Sequence, residues 1–578
     1  MTDEELIGLI EEHVTDSLGF GDEISRQREL AMDYYLTQPF GNEVPGRSKF
    51  IDSTVMDTCE WIMPSLMRVF CGGDEVCTFN PVGPEPMDAD LADQATMYVN
   101  HVLMKMNPGY VVLHDAMKDA ILQKMGWIKC WWDESEKIDR EEYSNLTDVE
   151  LDALIAEDTI EVIEHTEIEE EVNGQTVLLH DVVVNRDNSE GQVRIEAVPP
   201  DEVLVARMTK DIQSSHFICH RVRKTITELR EMGYDIDIDE IRAGSTDMND
   251  FSGERESRYR FDESDHFRFF GNDQGIGNDE SMRSYWVYES YIRTDYRGTG
   301  IAEIRRVVTV GKTLLENEPV DVIPFVSITP IRIPHKFYGL SVADTVMDLQ
   351  LMRSSLMRTL MDNAYQQNFG RWQVIEGQVA LDDLLSQVPG GIVRTKSPNA
   401  ITPLPTPPLQ PYSFQMLEYL DGIRESRAGV SKISQGLNEG ALKSHQTATA
   451  VSQVMTAAQS RLELIARNFA HTGIRDLCRA VYSLLVRHQD RETMVKLQGH
   501  WVPVNPSMWR DKSDCTVSTG IGFGSKDQQM AYLTQMISFA GQAMSGGLRI
   551  VSEQNMYEMS KELLKSMGFN NYQDFITD

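Results

Sequence analysis

Little in this chain suits a secreted, membrane-spanning or nucleic-acid-coating protein. Its seven cysteines (Cys59, Cys71, Cys77, Cys130, Cys219, Cys478 and Cys515) are scattered, odd in number and never spaced CxxC. That argues against a disulfide framework or a paired-cysteine zinc site, and fits reduced, mostly buried thiols. No apolar run approaches the roughly 20 residues needed to span a bilayer, so no membrane segment is expected. The opening MTDEELIGLIEEH is acidic and amphipathic, without the basic start and apolar middle of a signal peptide. Thr2 and Glu5 instead have capping-box spacing and predict a helix. Positive charge is also scarce. Against 90 Asp and Glu stand 54 Lys and Arg, a net charge of −36. Such a balance argues against general adhesion to phosphate backbones.

Catalytic signatures are missing as well. GxSxG is absent, and so is a His-containing metalloprotease helix motif. Gly520, Gly522 and Gly524 before Lys526 match neither GxxxxGK[ST] nor GxGxxG, and read as a glycine-rich approach to a helix near Lys526. Asp235, Asp237, Asp239 and Glu240 resemble the start of a calcium loop. The loop's sixth-position glycine is missing, however, and its twelfth position is Thr246, so a solvated turn is the simpler reading. His216, Cys219 and His220 are close, but on a strand the two histidines share one face and Cys219 takes the other. No second cluster completes four ligands. No enzyme activity, metal or cofactor is therefore expected.

What is present is a globular composition, 41% hydrophobic and 25% charged, in a chain long enough for more than one compact unit. Residues 1–132 read as mostly helical: EISRQRELAMDYYL (23–36), a Gly/Pro loop (41–48), an amphipathic 48–70 with Pro64 as a kink, then 91–107 and 114–126. WIKCWW (127–132) reads as a buried strand. Residues 133–340 turn β-rich, with alternations at 193–198, 203–206, 216–222, 284–293 and 304–310. Asn173-Gly174 is a hairpin signal. The very acidic 134–171 reads as peripheral, and the polar 243–283 as a mobile loop.

Two long helical stretches, 341–369 and 447–489, flank an unusual insert. The first would be about 44 Å long at 1.5 Å per residue, with Val342, Val346, Leu349, Leu356 and Leu360 on one stripe. RWQVI (371–375), LDDLLSQV (381–388) and IVRTK (392–396) suggest a strand–helix–strand unit, and PLPTPPLQP (403–411) a stiff extended return. Residues 412–430 resume a helix, and 431–446 break it. Val451, Met455, Ala458, Leu462, Ile465 and Phe469 then form a packed seam. A last helical segment, 526–566, is interrupted by Gly546-Gly547.

EVPGRSKFIDSTVMDTCEWIMPSLMRVF, HKFYGLSVADTVMDLQLMRSSLMRTLMDNAYQQN and GVSKISQGLNEGALKSHQTATAVSQVMTAAQSRLELIARNF, in this order and spacing, resemble the portal (head-to-tail connector) proteins of tailed bacteriophages, of the short-tailed phage type. The resemblance covers most of the chain. It implies an α+β, mainly helical subunit with wing, stem, clip and crown regions that closes into a ring, typically of twelve. On this reading 1–340 is wing (helical 1–132, β-rich 133–340), 341–369 the first stem helix and 370–411 the clip. Residues 412–430 are then the second stem helix, 431–446 the tunnel loop, 447–525 the long wing helix and connector, and 526–578 the crown. A long C-terminal barrel is not expected.

The function so implied is a conduit at one capsid vertex of the virion, assembled in the host cytoplasm. Double-stranded DNA would pass through it, independent of sequence, during packaging and ejection. The implied partners are the terminase large subunit, tail adaptors, and the major capsid and scaffolding proteins. Lys432, Asn438, Lys443, Ser444 and His445 are the tunnel-loop candidates. Arg353 and Arg358 are candidates for charged rings facing DNA, with a solvated or subunit-pairing helix face as the competing reading. Arg371, Trp372, Asp382, Asp383, Arg394 and Lys396 are candidate clip contacts; Trp372 could equally pack the clip, with the charges paired between subunits. The alternative is a capsid-associated scaffold or adaptor without a DNA channel.

Overall fold

The computed structural model describes residues 1–72, 75–81, 86–134, 138–147, 151, 154, 160–172, 175–187, 191–234, 252–259, 284–386, 390–405, 412–429, 461–489, 493–497, 500–509, 513–516, 526–545 and 551–567. The architecture is mixed, with 51% helix against 23% strand. The chain opens with α1 (Asp3–Tyr35), started by the expected capping box: Glu5 N–H donates to Thr2 Oγ1, and Thr2 N–H to the Glu5 carboxylate. The stretch from 23 continues this helix rather than starting a second. Leu6, Ile10, Val14 and Leu18 bury against a β-sheet core, while Ala31 reaches the main helical core. Packing at both ends keeps so long a helix intact through Gly19 and Gly21.

α2 (Thr54–Cys71) continues through Pro64. After β1 (Thr78–Pro81) come α3 (Pro86–His101), a π-helical turn at Val102–Met106, and α4 (Gly109–Gln123). Ile62, Leu66, Phe70, Val99, Leu103, Leu113 and Met117 from these helices merge into the largest core. The expected buried strand is β2 (Gly126–Asp133). It starts where α4 comes so close that a Cβ on Gly126 would lie 1.8 Å from the Ala116 carbonyl oxygen.

β3 (Ile138–Leu146), β4 (Ile160–Val172) and β5 (Gln175–Asp187) form an antiparallel sheet in the order β3-β5-β4. Val172 pairs with Gln175 across the Asn173-Gly174 position, as the turn signal required. There follow β6 (Gln192–Val198), β7 (Val203–Val205), β8 (Phe217–Thr225), α5 (Ile226–Glu231), α6 (Ser252–Tyr259), β9 (Ser284–Thr294), β10 (Glu303–Val310), β11 (Thr313–Pro319) and β12 (Phe325–Ile328). All five alternating segments became strands. β11-β10-β9-β8-β7 is one antiparallel sheet and β12-β2-β6 another. Trp127 and Phe325 from the smaller sheet pack on Ile218 and Tyr291 from the larger.

One expectation for this region fails. Residues 243–283 read as a loop, yet α6 lies inside them and is packed on α1. Its buried groups are polar: Glu254 is 3.5 Å from Arg28 Nη1, and Arg255 Nε donates to Asp201 at 2.8 Å. Ion pairs rather than apolar periodicity hold this helix, so no hydrophobic pattern announced it.

The second half begins with a 3-10 turn at Ala343–Thr345 and α7 (Met347–Asn368), six residues later than expected. Asp344 N–H donates to Ser341 Oγ, and Ser341 N–H to the Asp344 carboxylate, which closes a separate turn first. β13 (Trp372–Val374), α8 (Leu381–Leu385) and β14 (Ile401–Pro403) make the insert. β13 pairs with β14. The expected strand at 392–396 contributes a single bridge, Val379 with Thr395, so the return strand lies further on. Of the proline run, 406–411 lies outside the described residues.

α9 (Tyr412–Ala428) follows. A helix at 461–469 passes through a π-helical turn, Ala470–Ile474, into α10 (Arg475–His488). Ile465 and Phe469 of the expected seam are buried and Leu462 is half-buried, whereas Val451, Met455 and Ala458 lie outside the described residues. β15 (Thr493–Leu497) pairs with β16 (His500–Val504), and β17 (Ser513–Thr516) returns to β1. α11 (Lys526–Ser545) and α12 (Glu553–Ser566) end the described chain, separated around Gly546-Gly547 as expected.

Candidate functional site

α7 is the helix on which the site is built, and its buried face is not the expected leucine stripe. Val342, Val346 and Leu349 are buried, but Leu356 and Leu360 are only half-buried. The buried groups further along are Gln350, Ser354 and Arg358, four residues apart and hence on one face. Ser354 and Arg358 receive the segment that connects α1 to α2, which lies along α7 as a strap, and Gln350 receives the helix ends that flank it. Gln350 Nε2 donates to the Tyr34 carbonyl, and its Oε1 accepts from Val55 N–H, both at 2.8 Å. Asp52 N–H donates to Ser354 Oγ at 2.9 Å. Arg358 uses all three guanidinium nitrogens: on the Phe50 carbonyl at 2.7 Å, Asn42 Oδ1 at 2.6 Å and Glu43 Oε1 at 2.7 Å. One turn further, Ser48 N–H donates to Asp362 Oδ1 at 2.7 Å.

Electrostatics tighten the same strap. Burial works to raise the Glu43 carboxyl. Hydrogen bonds from its own backbone, from Arg358 and from Phe40 N–H outweigh it and hold Glu43 below the usual carboxylate range. α9 is pinned from the other side of α7. Arg353 bridges Asp52, at 3.0 Å, and Asp421 of α9. Arg427 Nη1 reaches Asp348 at 2.7 Å and the Thr345 carbonyl at 3.0 Å. The Arg424 guanidinium lies 4.5 Å from the centre of the Trp61 ring of α2. Arg353 and Arg358 therefore have carboxylate partners within the subunit.

Beyond these pins the apolar surface changes character. Met352, Tyr365 and Phe369 of the α7 region, and Tyr412, Phe414, Met416 and Tyr419 of α9, are exposed, Tyr419 at 69%. The insert continues this surface with Ile375, Leu381, Leu385 and Ile392. So many large apolar groups on adjoining elements mark a contact surface rather than ordinary solvent-facing positions.

Within the insert, Trp372 is 52% exposed, and Arg371 and Asp382 are exposed too. Arg394 clasps Asp383 through Nε and Nη2 at 2.6 and 3.0 Å, which holds that carboxyl below its ordinary value despite some burial. Lys396 Nζ donates to the Gly377 carbonyl at 3.2 Å. Lys432, Asn438, Lys443, Ser444 and His445 lie outside the described residues, as do Asp235–Glu240 and the glycines before Lys526. Of the histidine pair, His216 is exposed just ahead of β8 and His220 is buried within it. Among the described residues no group of His, Cys, Asp and Glu could hold a metal ion, and no helix is long and apolar enough to cross a membrane.

Residues 6–578 match the family model described as the phage SU10 portal protein. The chain belongs to that family of phage portal proteins. No curated protein matches it significantly. Portal proteins are structural, non-enzymatic components of the phage virion that assemble as oligomers and meet capsid, tail and terminase proteins.

In this portal protein the residues that sequence reasoning missed are Gln350 and Ser354, which receive the strap and its ends, and the carboxylates that take the arginines: Asp52 and Asp421 for Arg353, and Asp348 for Arg427. The only signal for them was the four-residue spacing of Gln350, Ser354 and Arg358. Polar residues at that spacing ordinarily mark a solvated face.

Proposed function

We propose that this portal protein closes into a dodecameric ring at one capsid vertex and forms the channel for DNA packaging and ejection. Residues 341–369 and 412–430 act as its stem and 370–411 as its clip. The observation that carries this reading is the apolar surface of α7, α9 and the insert, which the folded subunit leaves uncovered while pinning the same helices firmly to the wing. A closed ring joins two different patches of each subunit head to tail, and so covers such a surface in every copy. The net charge of −36 per subunit makes a channel that repels DNA rather than gripping it. Because Arg353 and Arg358 are taken up by Asp52, Asp421 and Glu43 of their own subunit, they fasten the stem rather than face DNA or pair with a neighbouring subunit. The tunnel loop at 431–446, with Lys432 and Lys443, is then the candidate for centring DNA. Arg371, Trp372, Asp382 and Lys396 are the clip groups offered to terminase and tail adaptors.

Negative-stain imaging with native mass of the purified protein tests the ring. Closed rings with an axial hole at least as wide as a DNA duplex are expected. A stable monomer or dimer without a hole would overturn the reading in favour of a scaffold or adaptor. Neutralising Lys432 and Lys443 together is expected to alter packaging or genome retention with rings intact; loss of ring assembly would make the loop structural.

A further inference from the structure

α7 and α9 carry four arginines. Arg353, Arg358 and Arg427 each take a carboxylate of their own subunit. Arg424 takes none among the described residues, although at 5% exposure it is the most deeply buried of the four. It lies one turn after Leu420, on the face of α9 that closes over the largest core. Its guanidinium is over the Trp61 ring of α2, 4.5 Å from the centre, and its Nε and Nη2 are buried without a hydrogen-bond partner. A buried charge with unmet donors is costly. The Trp61 face and the C-terminal end of α9 both favour a cation and offset part of that cost. Neither gives Nε or Nη2 an acceptor, so the folded subunit leaves this position incomplete.

We propose that Arg424 is a socket for a carboxylate of the neighbouring subunit, and that the ion pair so formed joins α9 of one copy to the next. The proposal rests on the ring reading above and names a polar partner for it. The same helix presents Tyr412, Phe414, Met416 and Tyr419 to solvent, so the socket belongs to the element whose apolar surface the ring would cover.

Two arguments favour a protein carboxylate over a DNA phosphate. Phosphates lie on the convex outside of a stiff duplex, which cannot follow a guanidinium into a buried position, whereas one Asp or Glu side chain can. The chain also carries 90 Asp and Glu against 54 Lys and Arg, so a neighbouring copy has carboxylates to spare. Once the ring closes, water is excluded from the pair. There a charge-assisted contact to a guanidinium is strong, and the unmet donors gain the acceptor they lack.

Stability and assembly of the purified full-length protein, measured side by side, test this. Arg424→Met keeps a long side chain over Trp61 and removes the charge. The melting temperature of the dissociated subunit is expected to stay level or rise. The protein concentration at which half the subunits are in rings, read by sedimentation, should rise at least about tenfold. A lower melting temperature, or a subunit that does not fold, would overturn the proposal in favour of a role within the subunit. An unmoved assembly concentration would overturn it as well. Normal assembly with altered genome retention would give Arg424 to DNA and overturn it too. Wild-type protein that forms no rings would defeat the ring reading and this one with it, whereas wild-type rings that are matched by Arg424→Met would defeat this one alone.

Discussion

In the two-sheet region, Trp127, Phe217 and Phe325 are fully covered by their own chain, whereas Phe369 beyond α7, Ile392 of the insert and Tyr419 of α9 stand open to solvent. Largely buried ion pairs fasten both regions. The wing keeps Lys129 and Glu289 bridging its interior. α7 and α9 use the buried Arg358 with Arg353 and Arg427 to fasten themselves to the strap and to each other. The contrast teaches that the two-sheet region supplies its own core, while α7 and α9 are held in position by polar pins and keep apolar surface open to solvent.

The largest effect is expected where the wing core is cut. Phe325→Ala should cost about 3–5 kcal/mol, read as a fall in melting temperature. An equal fall from Phe369→Ala would break the contrast between the regions. Next comes the strap. Gln350→Ala strands the Val55 N–H in a fully buried site and should cost about 1–3 kcal/mol, read as a shift in urea midpoint; no shift would mean that the stem is not fastened there. Acid then separates wing from stem. Despite nearly complete burial, Lys129, His220 and Arg306 hold the Glu289 carboxyl well below its ordinary 4.5. Its contribution is complete above 4.5 and lost as the pH falls toward the lowered value. The urea midpoint should therefore drop on acidification in the wild type and drop less in Glu289→Gln.

Smaller effects on the fold are expected from the open surface. Phe414→Ser with Tyr419→Ser should leave the dissociated subunit within about 0.5 kcal/mol of wild type, while sedimentation shows fewer assembled rings. A destabilised subunit with normal assembly would reverse the assignment of that face. Arg394→Ala, in an exposed pair, should leave the melting temperature unchanged; a measurable loss would make the Asp383 clasp a structural pin of the insert.

Much of the secondary structure was legible because it follows local rules. Thr2 and Glu5 announced the first helix, Asn173-Gly174 the hairpin, and alternation β6 to β10, though not β11 or β12. α7 and α9 were legible as helices from their spacing and length. α6 and the strap were not. Both are held by polar contacts between residues far apart in the chain, such as Arg28 with Glu254 and Arg358 with Glu43. Such pairs leave no periodic trace, because one side chain and one distant partner make no pattern.

By itself, then, the sequence determined the family, most of the helices and the alternating strands, and the acidic balance, since each is written in neighbouring residues or in bulk composition. The tertiary structure alone decided that Arg353 and Arg358 bind a strap, that Gln350 and Ser354 face inward, and that Arg424 is buried over Trp61. Those outcomes depend on which distant groups burial brings within hydrogen-bond reach, and burial is a property of the folded chain.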